Sequence, residues 1–211
     1  MKWKIIKKKA EDQPATGTYS DWKPQLAIEA DRRCVYCSIR DQVFGGTRFF
    51  HVEHYRPKKH FPDLENDYLN LFYACAVCNI FKGSEWFDHE ERDWEQKHFP
   101  DPSRVDYSEL FDVNVNCILR GRYLVSRYLV ERLHLNRSHL IRERRVERAF
   151  EMITTSLNSI ERLERQLEPL FEEGDLNAGK LILELSRVSR QLLNLCANRD
   201  GLSLYDPREL S

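Results

Sequence analysis

Two Cys-x-x-Cys pairs constrain this chain more than any other feature: Cys34-Val-Tyr-Cys37 and Cys75-Ala-Val-Cys78. Each turn presents two thiolates to one ion, and two such turns close a four-sulfur site of the structural Zn²⁺ kind. Six cysteines also suit a disulfide framework. The chain, however, opens on Met-Lys-Trp-Lys-Ile-Ile-Lys-Lys-Lys, which lacks a signal-type apolar segment, so metal and a cytoplasmic location are the expectation. Cys117 and Cys196 stand apart and read as small buried hydrophobes. No apolar run approaches the ~20 residues that span a bilayer, so no membrane partner is expected.

Between the knuckles lie His51-Val-Glu-His54, Asn70, and Asn79-Ile-Phe-Lys82-Gly83. The glycine pair Gly45-Gly46 followed by the aromatic and branched run Thr47 to Tyr55 predicts a hairpin of strand, turn and strand. On such a strand His51 and Glu53 share one side, and Pro57 ends the ladder soon after His54. A short helix is predicted from Asn79 to about Trp86, and another within 19–32 that enters the first knuckle on Trp22, Leu26, Ile28 and Ala30. A unit this small needs its metal for stability.

Net charge is −1, so any nucleic-acid contact must come from local charge. The lysines between Lys2 and Lys9 suit either phosphate contact or a solvated arm. Residues 84–112 are acidic, whereas 120–148 are arginine-rich. A short hairpin is expected near 113–121. Apolar positions then recur at helical spacing over Val146, Phe150, Ile153, Leu157, Ile160, Leu163, Leu167 and Leu170, and again over Leu181, Leu185, Val188, Leu192 and Leu195. The expected fold class is therefore α+β: a small zinc-pinned lobe over 1–115, with its core at 31–86, then a mainly helical lobe over 116–211 containing an antiparallel hairpin.

The residues Glu53-His54, Asn70 and Asn79-x-x-Lys82-Gly83 between paired knuckles resemble the HNH endonucleases, whose active unit is a ββα-metal fold. This chain departs from the usual aspartate or histidine by carrying Glu53. The run His51-Val-Glu-His-Tyr-Arg-Pro-Lys58, with Pro100-Asp-Pro102 and Leu133-His-Leu-Asn-Arg-Ser-His-Leu140, is similar to the PtuB family, nuclease subunits of Septu and retron-associated anti-phage systems. The resemblance implies DNA as substrate, a separately encoded ATPase subunit, a hetero-oligomer and, in the retron branch, a retron-type nucleic acid.

Phosphodiester hydrolysis needs a base, relief of charge in the transition state and a stabilised leaving oxygen. His54 is the expected base. Glu53 and Asn79 are expected to hold a Mg²⁺ or Mn²⁺ ion, and by family analogy Asn70 orients His54 or braces the loop behind it. His51 is either a further ligand or a packing or phosphate-contacting residue. Arg56, Lys58 and Lys82 are candidates for substrate contact, although Lys82 also suits the C-terminal turn of a helix for its charge. His60, His89, His98, His134 and His139 are read as structural. Two alternatives stay open: a zinc-knuckle assembly module without cleavage, and an RNA- or tRNA-directed nuclease with the same chemistry.

Overall fold

A computed structural model describes residues 3–88 and 93–197; His89 lies outside them. The chain divides into two compact units, 1–141 and 142–211. The second hairpin and the helix after it belong to the first unit.

In the first unit, helix α1 (Lys23–Glu29) starts with Pro24 in its first turn, where proline costs no hydrogen bond. Trp22, Leu26, Ala27 and Ala30 are buried on one side, whereas Ile28 points to solvent, 71% exposed. Strand β1 (Phe50–His54) pairs antiparallel with β2 (Leu71–Cys75), setting His51 opposite Ala74 and Glu53 opposite Phe72. Helix α2 (Ala76–Lys82) follows directly and is capped by the Cys75 sulfur, which accepts from the Cys78 amide at 3.4 Å. Strands β3 (Phe111–Val113) and β4 (Leu119–Gly121) form the expected second hairpin, and α3 (Leu124–Arg132) packs behind it.

The first hairpin is not the one predicted. Gly45 and Gly46, at φ 82° and 85°, fold the chain back on Asp41, whose carbonyl accepts from the Phe44 and Gly46 amides at 3.0 and 2.7 Å. The glycines thus close a local loop, and β1 finds its partner across the long connection 55–70 instead. Helix α2 likewise begins three residues before the predicted Asn79 and stops at Gly83, where φ is +59°.

The core of this unit is aromatic: Phe50 stacks on Tyr73 with ring centroids 4.6 Å apart, and Tyr36, Tyr68, Tyr73 and Tyr107 are almost wholly buried. The N-terminal arm is tied down by its lysines, Lys4 on Asp31 at 2.7 Å and Lys8 on Glu29 at 2.9 Å. Lys8 is also over the Tyr68 ring at 4.1 Å, which rules this lysine out as a phosphate contact.

Helix α4 (Ser138–Glu172) crosses into the second unit, and α5 (Leu176–Ala197) returns. The reversal is a Schellman turn: Gly174, at φ +99°, donates to Phe171 O, and Asp175 donates to Leu170 O, each at 3.0 Å. Asp175 then caps α5 by accepting from the Asn177 amide at 2.8 Å. Val146 and Ile153 pack with Phe150, Leu157, Leu192 and Cys196. The predicted stripes are split, because Leu163, Leu170, Leu181, Val188 and Leu195 are exposed.

Candidate functional site

The four knuckle sulfurs lie within 4.8 Å of one another and are buried. A Zn–S bond of ~2.3 Å puts sulfurs on a tetrahedron about 3.8 Å apart, and Cys37 and Cys75 are separated by 3.8 Å. The donor set therefore fits a structural zinc ion. Taken as thiols, Cys34 and Cys37 are pushed well up by burial, while hydrogen bonds from Cys34, Cys37 and Cys78 hold Cys75 far down. Arg137, just before α4, donates through Nη2 to the Cys78 sulfur at 3.4 Å and so offsets the negative charge that four thiolates bring.

An open cavity of about 730 Å³ has a lining that includes His51, Glu53, His54 and Asn79. These four side chains come from β1 and α2, brought together because Cys75 both ends β2 and starts α2. Asn79 Nδ2 donates to His51 Nδ1 at 3.0 Å, which leaves the Asn79 carbonyl oxygen for a ligand. His54 Nε2 is 2.9 Å from the Glu65 carbonyl, and a carbonyl only accepts. The ring proton therefore sits on Nε2, and Nδ1 is the basic nitrogen. Burial lowers the His54 pKa against the opposing pull of Glu65, so the imidazole is neutral at pH 7.

Asn70 holds the loop behind this histidine. Its Oδ1 accepts from the Arg56 amide at 2.7 Å, and its Nδ2 donates to the Arg56 and Leu64 carbonyls at 3.0 and 3.2 Å. Leu64 precedes the residue whose carbonyl fixes His54, so Asn70 braces His54 through the backbone.

Glu53 and Lys82 depart from a simple reading of the strand. Glu53 is 2% exposed and takes two contacts on Oε1, from Lys82 Nζ at 2.6 Å and from the Tyr36 hydroxyl at 3.0 Å. Oε2 is the oxygen left for a cation. Burial pushes this carboxyl up, and Lys82 and Tyr36 pull it back. Lys82 is wholly buried and also donates to the His54 carbonyl at 3.0 Å. It cannot touch substrate, which corrects the expectation placed on it. Arg56 lies over the Phe61 and Trp86 rings, while Lys58 remains on the cavity.

Among the lining residues, Tyr19 and Lys23 were not read as site residues from the sequence. Tyr19 packs edge-on against His54 with centroids 4.8 Å apart, is anchored by its amide to Asn66 Oδ1 at 2.9 Å, and accepts from Lys58 Nζ at 3.3 Å. Lys23 opens α1 and belongs to no motif, and only the fold brings it to this rim. Of the histidines read as structural, His98 is buried and His60 contacts the Ser84 carbonyl at 2.9 Å.

Residues 34–85 match the family described as HNH endonuclease, so the zinc-framed unit is of the HNH class. Within that class the chain is similar to Septu protein PtuB of Bacillus thuringiensis, 34% identical over 62 residues, which make up 29% of this chain and 23% of that protein. The match thus spans less than a quarter of that relative's length. No solved structure matches the chain. No helix among the described residues is long and apolar enough to cross a membrane.

Proposed function

We propose that this chain is a metal-dependent endonuclease that hydrolyses DNA phosphodiester bonds in the cytoplasm, as the nuclease subunit of an anti-phage assembly with an ATPase. The observation that carries the reading is the convergence of His51, Glu53, His54 and Asn79 on one open cavity rimmed by Lys23, Lys58 and Lys59. The donor set fits a hard divalent cation: one carboxylate oxygen from Glu53 and one amide oxygen from Asn79, with room left for phosphate and water.

Mg²⁺ or Mn²⁺, held by Glu53 Oε2 and Asn79 Oδ1, would neutralise charge developing on the phosphate and the leaving oxygen, while His51, whose Nδ1 accepts from Asn79 Nδ2, orients that amide. His54 Nδ1 takes the proton from the attacking water, and the Glu65 carbonyl keeps the ring in the tautomer that allows it. Lys23, Lys58 and Lys59 contact the substrate backbone, while Asn70 and Tyr19 hold the base in place. Exposed Leu181, Val188 and Leu195 on α5 offer an apolar face for the ATPase.

The test is plasmid cleavage by the purified chain, alone and with its ATPase, in Mg²⁺ or Mn²⁺. His54→Ala should reduce the rate by ~10²–10⁴-fold, the contribution of one positioned acid–base group, while zinc content is unchanged. Unaltered cutting by a pure His54→Ala protein removes the proposal. Cleavage of RNA but not DNA would assign the same chemistry to the other substrate.

A further inference from the structure

The first knuckle carries a residue that binds no zinc yet reaches the proposed catalytic ion site. Tyr36 lies between Cys34 and Cys37, so two fixed sulfurs flank its backbone. The Val35 amide donates to Tyr73 O in β2 at 3.0 Å, and Trp3 Nε1 donates to the Tyr36 carbonyl at 3.0 Å. The ring is wholly buried and packs against Phe99 and Tyr107, with centroids 5.9 and 6.2 Å away. Its hydroxyl therefore has one direction to point, and it donates to Glu53 Oε1 at 3.0 Å.

The other group on that oxygen is Lys82, one turn beyond Asn79 on the helix that Cys75 caps. Both partners of Oε1 thus descend from the cysteine pairs, one from each knuckle. A carboxylate held at one oxygen from two directions has its plane fixed, and the remaining oxygen is presented in one orientation only.

We propose that Tyr36 is a positioning residue through which the four-cysteine site sets the affinity of the catalytic ion site, by holding Glu53 so that Oε2 faces the cavity. This rests on the reading of Glu53 as a ligand given above. The zinc site is then more than a staple for a small fold: a closed first knuckle is a condition for divalent-ion binding some residues away.

The experiment uses the full-length, zinc-loaded protein and reads Mn²⁺ binding by electron paramagnetic resonance, with zinc by elemental analysis and a melting curve alongside. Tyr36→Phe keeps the ring and its packing and removes only the hydroxyl. Loss of a group that orients a metal ligand typically costs ~10–100-fold in metal affinity, so Mn²⁺ binding should weaken by at least about tenfold with zinc content unchanged. Glu53→Gln is measured in parallel. Wild-type Mn²⁺ affinity in Tyr36→Phe together with weakened binding in Glu53→Gln overturns the role of Tyr36 and leaves the ligand assignment standing. Wild-type affinity in both variants overturns the ligand assignment as well.

Discussion

Lys82 Nζ lies 2.6 Å from Glu53 Oε1, and the two side chains are 0% and 2% exposed. A buried pair of this kind gains little net stability when intact, because desolvating both ions offsets their attraction. Breaking it is costly, because one charge stays buried alone. Lys82→Met should destabilise the protein by about 3–5 kcal/mol, read as a shift in a denaturant midpoint at unchanged slope. A loss below about 1 kcal/mol would show that Glu53 is relieved by water or by protonation.

The four-cysteine cluster was legible because a Cys-x-x-Cys turn brings its own two sulfurs together locally. The partners of Glu53 were not. Spacing put Lys82 one turn after Asn79, but whether that turn faces solvent or β1 depends on how α2 leaves the sheet, which is a tertiary matter. The same limit hid Tyr19 and Lys23, which stand far from His54 in sequence and reach it only because α1 packs against the β1–β2 pair. Glycine misled in the opposite way: Gly45-Gly46 has the residues of a hairpin turn, yet Asp41 captures the backbone that follows and no strand precedes it.

His54 sets the expected pH response. Burial lowers its pKa, and a lowered value keeps the imidazole neutral to more acid pH than usual. The acid limb of kcat at saturating ion should therefore lie below the ordinary histidine value of ~6.5. Protonation of Glu53 also reduces activity in acid, but that effect weakens as ion concentration rises, which separates the two. A midpoint above the ordinary value at saturating Mn²⁺ would mean that His54 is not the titrating base.

Tyr19 belongs to a segment outside the 34–85 match, yet its ring walls His54 on one side. Tyr19→Ala should lower kcat by about ten- to a hundredfold, the range expected when a reacting group is slightly misplaced, with KM little changed. Tyr19→Phe retains the ring and should restore most of the rate. An equal loss in both variants would instead assign the effect to the Lys58 contact with the hydroxyl.

Arg137 is the charged neighbour of the four thiolates. Arg137→Ala should weaken zinc retention by ~10–100-fold against a competing chelator, as removal of outer partners does in other metal sites. Cys75→Ser should go further, since Cys75 is a ligand and also caps α2, and should unfold the unit that carries His54 and Asn79. Zinc loss from Arg137→Ala at the wild-type rate would reduce the guanidinium to a packing role against Phe81.

The hairpin makes the last prediction. On α5, Ala178, Leu185 and Leu192 recur every seven residues and are buried or half-buried, whereas Leu181, Val188 and Leu195 recur at the same interval and are 43–50% exposed. A helix that is apolar on a second face is suited to a further helix in that groove, since a two-helix hairpin leaves the face wet. Charge is a poor alternative explanation, because acidic and basic residues nearly cancel across 138–200. Leu181→Glu with Val188→Glu should therefore abolish co-purification with the ATPase. Because both positions are exposed, each change should alter folding stability by no more than about 0.5 kcal/mol, and zinc content and basal cutting should persist. Assembly at wild-type stoichiometry by the double variant would show that the ATPase docks elsewhere and that this face serves another contact.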